Sequence, residues 1–204
     1  HPGLRANDPG KISRAHQATQ TFHFFAKDGT HAINVLKVNN SGGDTAVIPN
    51  TLAAVKVVNA AYQTPSVDQK WDGNVGAASV VYPSATQTYN TLPVGTHTIT
   101  FEASAAPGAA IASASESFVS ATDSTILISG ANGSQVITKF ADSNLPPSSS
   151  VARVRMTNAS PDVPAFDVVI YGVGRPTNAA SPPASAYFAL EHRHPPVQPR
   201  VRAR

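Results

Sequence analysis

Apolar and polar residues alternate along most of this chain in short runs, and turn-forming residues separate the runs. Successive side chains of a strand point to opposite faces, so such alternation predicts half-buried β-strands. The runs place strands at Thr21–Ala26 and His31–Val38. Further ones follow at Leu52–Asn59, Val67–Trp71, Ala78–Tyr82, Thr86–Thr91, Thr96–Ala103, Ile111–Val119, Ser124–Ser129 and Gln135–Phe140. The alternation is clearest after Gly95: His97, Ile99 and Phe101 share one face, while Thr96, Thr98 and Thr100 share the other. Turn chemistry fits the gaps. Asp28-Gly29 between two apolar runs signals a hairpin, and Pro93-Val94-Gly95, Ala106-Pro107-Gly108 and Ala131-Asn132-Gly133 punctuate the rest. No segment has helical periodicity. Short strands at regular turn spacing predict an all-β fold, an antiparallel β-sandwich.

The same pattern returns later in the chain. Val55-Lys56-Val57-Val58-Asn59-Ala60 matches Val154-Arg155-Met156-Thr157-Asn158-Ala159, 99 residues on, and Pro65, Asp68 and Gly73 match Pro164, Asp167 and Gly172 at that offset. With one deletion, Thr88-Tyr89 and Leu92 align with Ala186-Tyr187 and Leu190. Internal repetition of this kind marks a unit used more than once. The expected organisation is a flexible leader at 1–19, a hairpin segment at 20–50, a complete sandwich repeat at 51–142, a Pro/Ser linker at 143–150 and a truncated second repeat at 151–190. A basic Pro/Arg tail without a strand pattern follows at 191–204 and resembles a frame-shifted end, a genuine basic tail being the alternative. A first residue of His rather than Met suggests processing or trimming.

Charge adds little to this picture until it is located. The net charge is +3, with 15 Lys and Arg against 12 Asp and Glu, but residues 191–204 hold four Arg and one Glu, so residues 1–190 balance at 11 and 11. A neutral body without a basic stripe argues against nucleic acid, which needs clustered cations to displace phosphate counterions. The absence of cysteine excludes disulfides, thiolate catalysis and Cys-based zinc sites. No apolar run is long enough for a helical membrane span.

The residues Ala152-Arg153-Val154-Arg155-Met156-Thr157-Asn158-Ala159-Ser160-Pro161-Asp162-Val163-Pro164-Ala165-Phe166-Asp167-Val168 resemble the opening of the bacterial domain-of-unknown-function 4397 family. That family starts with a strand, an Asn-Ala-Ser-Pro-Asp turn, and Pro-Ala-x-Asp-Val leading into a second strand. The resemblance covers roughly 52–190 and is looser in the first copy, where Ala61-Tyr62-Gln63-Thr64 replaces Ser-Pro-Asp-Val. It implies a secreted or envelope-anchored tandem module of immunoglobulin-like fold, without catalytic residues or cofactor.

Candidate chemistry is weighed against that background. Asn59, Asp68, Asn158, Asp162 and Asp167 read as a structural turn motif, since Asn and Asp side chains bond the backbone two residues on; cation binding by Asp68 and Asp167 is the alternative. Trp71 and Tyr62 are the candidate ligand contacts, as an aromatic strip for a glycan, while Tyr82 and Tyr89 read as core. His97 reads as a boundary histidine on the face of Ile99 and Phe101. His1 could join His16, His23, His31 or His97 in a copper brace, but it opens a polar leader; His192 and His194 lie in the tail. No Gly-x-Ser-x-Gly elbow, phosphate loop or His-Glu-x-x-His is present.

The expectation is a non-enzymatic module, secreted or in the cell envelope, with a structural, adhesion or assembly role. A carbohydrate- or ligand-binding domain is the alternative, and a hydrolase or copper oxidase comes last. Half a sandwich presents unpaired strand edges, so partners are expected through strand addition, by self-association or with another surface protein. The 20–38 hairpin is expected either to complete the truncated copy within the chain or to drive self-association.

Overall fold

The computed structural model describes residues 20–26, 33–40, 45–48, 50–148, 151–160, 162–163, 165–170, 173–180, 186–191 and 200–203. The expected leader at 1–19 lies outside them. Every regular element among them is a strand. In chain order these are β1 (Gln20–Ala26), β2 (Ile33–Asn39), β3 (Thr45–Ile48), β4 (Leu52–Ala61), β5 (Ser66–Trp71), β6 (Asn74–Val81), β7 (Ser84–Ala85), β8 (Asn90–Pro93) and β9 (Gly95–Ala103). There follow β10 (Ala110–Phe118), β11 (Asp123–Gly130), β12 (Val136–Ala141), β13 (Val151–Val154), β14 (Ala165–Ile170), β15 (Val173–Ala180), β16 (Phe188–Glu191) and β17 (Arg200–Ala203).

Strands β4 to β12 form a β-sandwich, as the alternation predicts. One sheet has the order β10-β9-β5-β6; the other has β12-β11-β4-β7, with β8 also on β4. The inward positions of β4 and β11 (Val55, Val57, Ile126, Ile128) meet Val67, Ile99, Phe101 and Phe118 from the other sheet, all buried. Burial of Ile99 and Phe101 with exposure of Thr96 and Thr98 matches the faces read from the sequence. Within the sandwich β4 and β11 run parallel, from Ala54 opposite Asp123 to Ala61 opposite Gly130. A parallel pair needs a long crossover, and here the whole of β5 to β10 provides it. The strand expected at Thr86–Thr91 is instead two short ones, β7 and β8. They pair with different stretches of β4 (Val58–Asn59 and Leu52–Val55), and Thr86 bonds Val57 between them.

The hairpin of β1 and β2 forms as expected, with Gln20 opposite Asn39 and Ala26 opposite Ile33. A third strand, β3, adds to β2 beyond the polar break. This small sheet leaves Phe22 and Phe24 exposed, at 46% and 71%, together with Val47 and Ile48.

Pairings in the later region follow those of the sandwich at most positions. Ala53 faces Leu92 and Ala152 faces Leu190; Val55 faces Asn90 and Val154 faces Phe188. Ser66 faces Val81 and Trp71 faces Asn74, while Ala165 faces Ala180 and Ile170 faces Val173. Even the irregularity after Val67 recurs after Phe166. The tail differs from expectation. Arg200–Ala203 is a strand, β17, set on β14 as β9 is set on β5: Val67 faces Ala103 and Phe166 faces Ala203. Arg200-Val201-Arg202-Ala203 alternates polar and apolar, a period hidden by the prolines before it.

Candidate functional site

The two asparagines of the predicted turn motif do the same work. Asn59 is fully buried; its Oδ1 accepts from the Ala61 amide (3.0 Å), and its Nδ2 donates to the carbonyls of Thr64 (3.3 Å) and Val80 (2.9 Å). Asn158, also buried, accepts from the Ser160 amide (2.9 Å) and donates to the Val163 carbonyl (2.6 Å). Each side chain therefore closes an Asx turn and ties its far end, satisfying backbone groups that burial would otherwise leave unpaired. Asp162 is exposed, and its amide donates a long bond to Ser160 Oγ (3.4 Å).

Asp68 holds an irregular part of β6. Its Oδ1 accepts from the Ser79 amide (2.8 Å) and from Ser104 Oγ (2.7 Å), and Ser79 has a positive φ of 52°. These bonds, with Lys70 nearby, keep the carboxyl below its ordinary pKa. The side chain of Asp167 lies outside the described residues. Among those residues no group of three or more His, Asp or Glu could hold a metal ion.

A cleft of about 430 Å³ opens beside these turns, within the usual range of about 300–1,000 Å³ for small-ligand sites. Ala60, Tyr62, Tyr82 and Pro83 line it from the sandwich, and Ala159, Ser160 and Asp162 from the later region. Tyr62 is 52% exposed and Tyr82 41%, so both rings are open to solvent. Bonds from the Tyr62 amide to Gly130 O and from the Tyr82 amide to Pro65 O hold their backbones (2.9 and 2.8 Å), and the Tyr82–Pro83 peptide is cis.

Trp71 is elsewhere, at the opposite end of β5 from the turn that carries Tyr62. Its half-buried ring meets Phe118 edge-on at 5.7 Å and covers Gly76, where an added Cβ would fall 1.9 Å from the indole nitrogen. The structure thus separates the two predicted ligand contacts and sets Tyr82, expected in the core, beside Tyr62. The signal for Tyr82 was its place before a proline at a strand end, level with the turn after β4.

His97 bridges Asp72 Oδ2 (2.7 Å) and the Pro93 carbonyl (2.8 Å). The Asp72 bond is the main reason its pKa is raised, and the same bond lowers that of Asp72. Lys70 grips Glu102 through both oxygens (2.7 and 2.8 Å), and Glu102 also accepts from the Gly108 amide (2.7 Å).

A cluster missed in the sequence joins the sandwich to the later region. Arg155 donates to the Ala141 carbonyl (2.8 Å) and to Asp142 (2.6 Å), with its guanidinium about 5 Å from the rings of Phe140 and Tyr187. The other Asp142 oxygen accepts from Tyr89 (2.8 Å) and Thr125 (2.7 Å). Burial, with Asp142 beside it, pushes the Tyr89 hydroxyl up to about 12. Ser143 and Asn144 of the expected linker are bonded here too, to Arg153 and Asp123. Pairing by Arg155 was not legible because its partners lie in other strands.

No curated protein matches the chain. The profile of a domain of unknown function, DUF4397, matches residues 53–169, which is more than half of the chain and spans the sandwich, the Arg155 junction and the Asn158 turn. The chain belongs to the DUF4397 family.

Proposed function

We propose that this chain is a non-enzymatic, exported module of the cell envelope or extracellular space, made by reusing one β-unit, with a structural, adhesion or assembly role. The observation that carries it is the recurrence of strand registers and of the asparagine turn in the two regions, 99 residues apart. Reused units joined by fixed contacts such as Arg155–Asp142 extend a chain at small cost in new sequence. Side chains that could serve chemistry elsewhere, Asp68, His97 and Glu102, are spent here on holding backbone.

The test is protease shaving of intact source cells, followed by fractionation. Surface release of the chain is expected; recovery in the cytoplasm overturns the proposal. Hydrolase or copper-dependent oxidase turnover above a heat-denatured blank would overturn its non-enzymatic part.

The exposed Tyr62 and Tyr82 favour a second reading, a glycan or small-ligand cleft. Titration with a glycan panel decides it. Binding lost with Tyr62→Ala but kept with Trp71→Phe supports the cleft, and no binding by the unaltered chain removes it.

A further inference from the structure

The cleft beside Tyr62 and Asp162 is lined twice by one turn. Ala60 on one wall and Ala159 on the other stand 99 residues apart, the offset that relates the two regions, and each directly follows the asparagine that closes its turn. Asn59 accepts from the Ala61 amide and Asn158 from the Ser160 amide, again equivalent positions. Corresponding turns of two copies therefore meet across about 430 Å³ of open space.

The turns agree in frame and differ in what they present. The first reads Ala61-Tyr62-Gln63-Thr64 and the second Ser160-Pro161-Asp162-Val163. From the first comes the exposed ring of Tyr62, joined by that of Tyr82 just beyond β6. From the second come the Ser160 hydroxyl and the exposed Asp162 carboxylate. Among the described residues that line the cleft, Asp162 carries the one formal charge. One wall is aromatic and the other anionic.

Backbone bonds hold both walls from behind. The Tyr62 amide is tied to the Gly130 carbonyl and the Tyr82 amide to the Pro65 carbonyl, while Asn59 also grips the Val80 carbonyl, two residues before Tyr82. On the other side Asn158 grips the Val163 carbonyl, one residue beyond Asp162. The buried asparagines thus fix the backbone on which the cleft stands, and exposure leaves its rings and carboxylate open to a ligand.

These walls define what fits. Tyrosine rings offer a flat apolar surface with a polar tip, and their faces also attract positive charge. Their hydroxyls and that of Ser160 both donate and accept, as the hydroxyls of a sugar require. A carboxylate only accepts, and a charged ammonium group is among its strongest partners.

We propose that the cleft binds a sugar carrying a protonated amine, with its ring against Tyr62 and Tyr82 and its ammonium group paired with Asp162. This assignment rests on the reading of the cleft as a glycan site and adds the charge of the glycan. It also accounts for the difference between the turns. Two acidic turns would offer the sugar ring no surface, and two aromatic ones would offer its amine no carboxylate.

The test is calorimetric titration of the full chain with two oligosaccharides of equal length, one of glucosamine and one of N-acetylglucosamine, at a pH that keeps the free amine charged. Binding of the glucosamine form is expected to be several-fold tighter. Asp162→Asn, an exposed change that keeps the shape, should erase that preference. Tyr62→Leu should weaken both sugars several-fold, and Trp71→Phe, at the other end of β5, should alter neither. Equal affinity for the two sugars, or a preference that Asp162→Asn leaves intact, overturns the proposal. If Tyr62→Leu weakens both sugars even then, the cleft reading stands and only the charge is wrong. If neither sugar binds the unaltered chain, the cleft reading has itself failed and takes the proposal with it.

Discussion

Residues 52–142 and residues 151–203 use the same strand registers and the same asparagine turn, yet among the described residues only the first region is a closed body. In the first, β4 is held on one edge by β7 and β8 and on the other by β11, and its alternate residues Val55, Val57 and Asn59 are fully buried. In the second, β13 is held by β16 alone among the described residues and ends after four residues. The turn chemistry survives that difference, because Asn158 closes its loop from within. The full length of β4 does not recur in β13, which has β16 as its neighbour among the described residues. Local bonds therefore specify the shape of the unit, and sheet completion specifies its extent.

The contrast breaks at once if the first region does not depend on its core. Phe101→Ala, at a fully buried position, should cost about 3–5 kcal/mol in denaturant unfolding. Thr98→Ala, on the exposed face of the same strand, should cost a few tenths. Equal losses would mean that the inner and outer faces of β9 are assigned wrongly.

Comparing the two asparagines sharpens the argument. Asn59→Ala removes three buried bonds and should cost about 1–3 kcal/mol. Asn158→Ala removes two and should cost less by the same measurement. A larger loss at Asn158 would contradict the view that the sandwich carries most of the stability.

Much of this was legible in the sequence, for a physical reason. Period-two alternation located β4, β5, β9, β10, β11 and β12 to within a residue or two, because each has one face in the core. The 99-residue offset located the second asparagine turn. What escaped was non-local or lay outside the pattern. The parallel partnership of β4 and β11 depends on which edges meet, and alternation says nothing of edges. Strand β3 has no buried position to give it a pattern. Trp71 looked like a surface aromatic because Gly76, the residue that admits its ring, lies across the β5–β6 hairpin. The cleft was half legible: Tyr62 was named, but Tyr82 and the Ala159–Asp162 wall reach it only through the fold.

At the junction, Arg155→Lys keeps the charge but loses the planar fork that meets Asp142 and Ala141 between two rings. The expected loss is about 1 kcal/mol, read as faster proteolytic removal of 151–203 with little change in sandwich melting. Unchanged trimming would mean that the two regions are not held together by this residue.

The smallest effect concerns pH. His97 has a raised pKa, so its contribution is full below its ordinary 6.5 and is lost as pH rises through the folded value. Asp72 has a lowered pKa, so its contribution is full above its ordinary 3.8 and is lost as pH falls through the folded value. The pair therefore stabilises most between those two ordinary values. His97→Gln should flatten the stability profile on the alkaline side of that window, and an unaltered slope would remove the pair from the account.

The most direct test of one unit in two states of completion is amide hydrogen exchange on the dilute, monomeric chain, compared position by position. Residues 54–61 should exchange slowly, and so should 152–154 and 166–169, which have ladders in both regions. Residues 157–159, the counterparts of 58–60, have no ladder among the described residues and should exchange faster than 58–60. Equal protection of 157–159 and 58–60, or fast exchange across 152–154 and 166–169, would contradict the account.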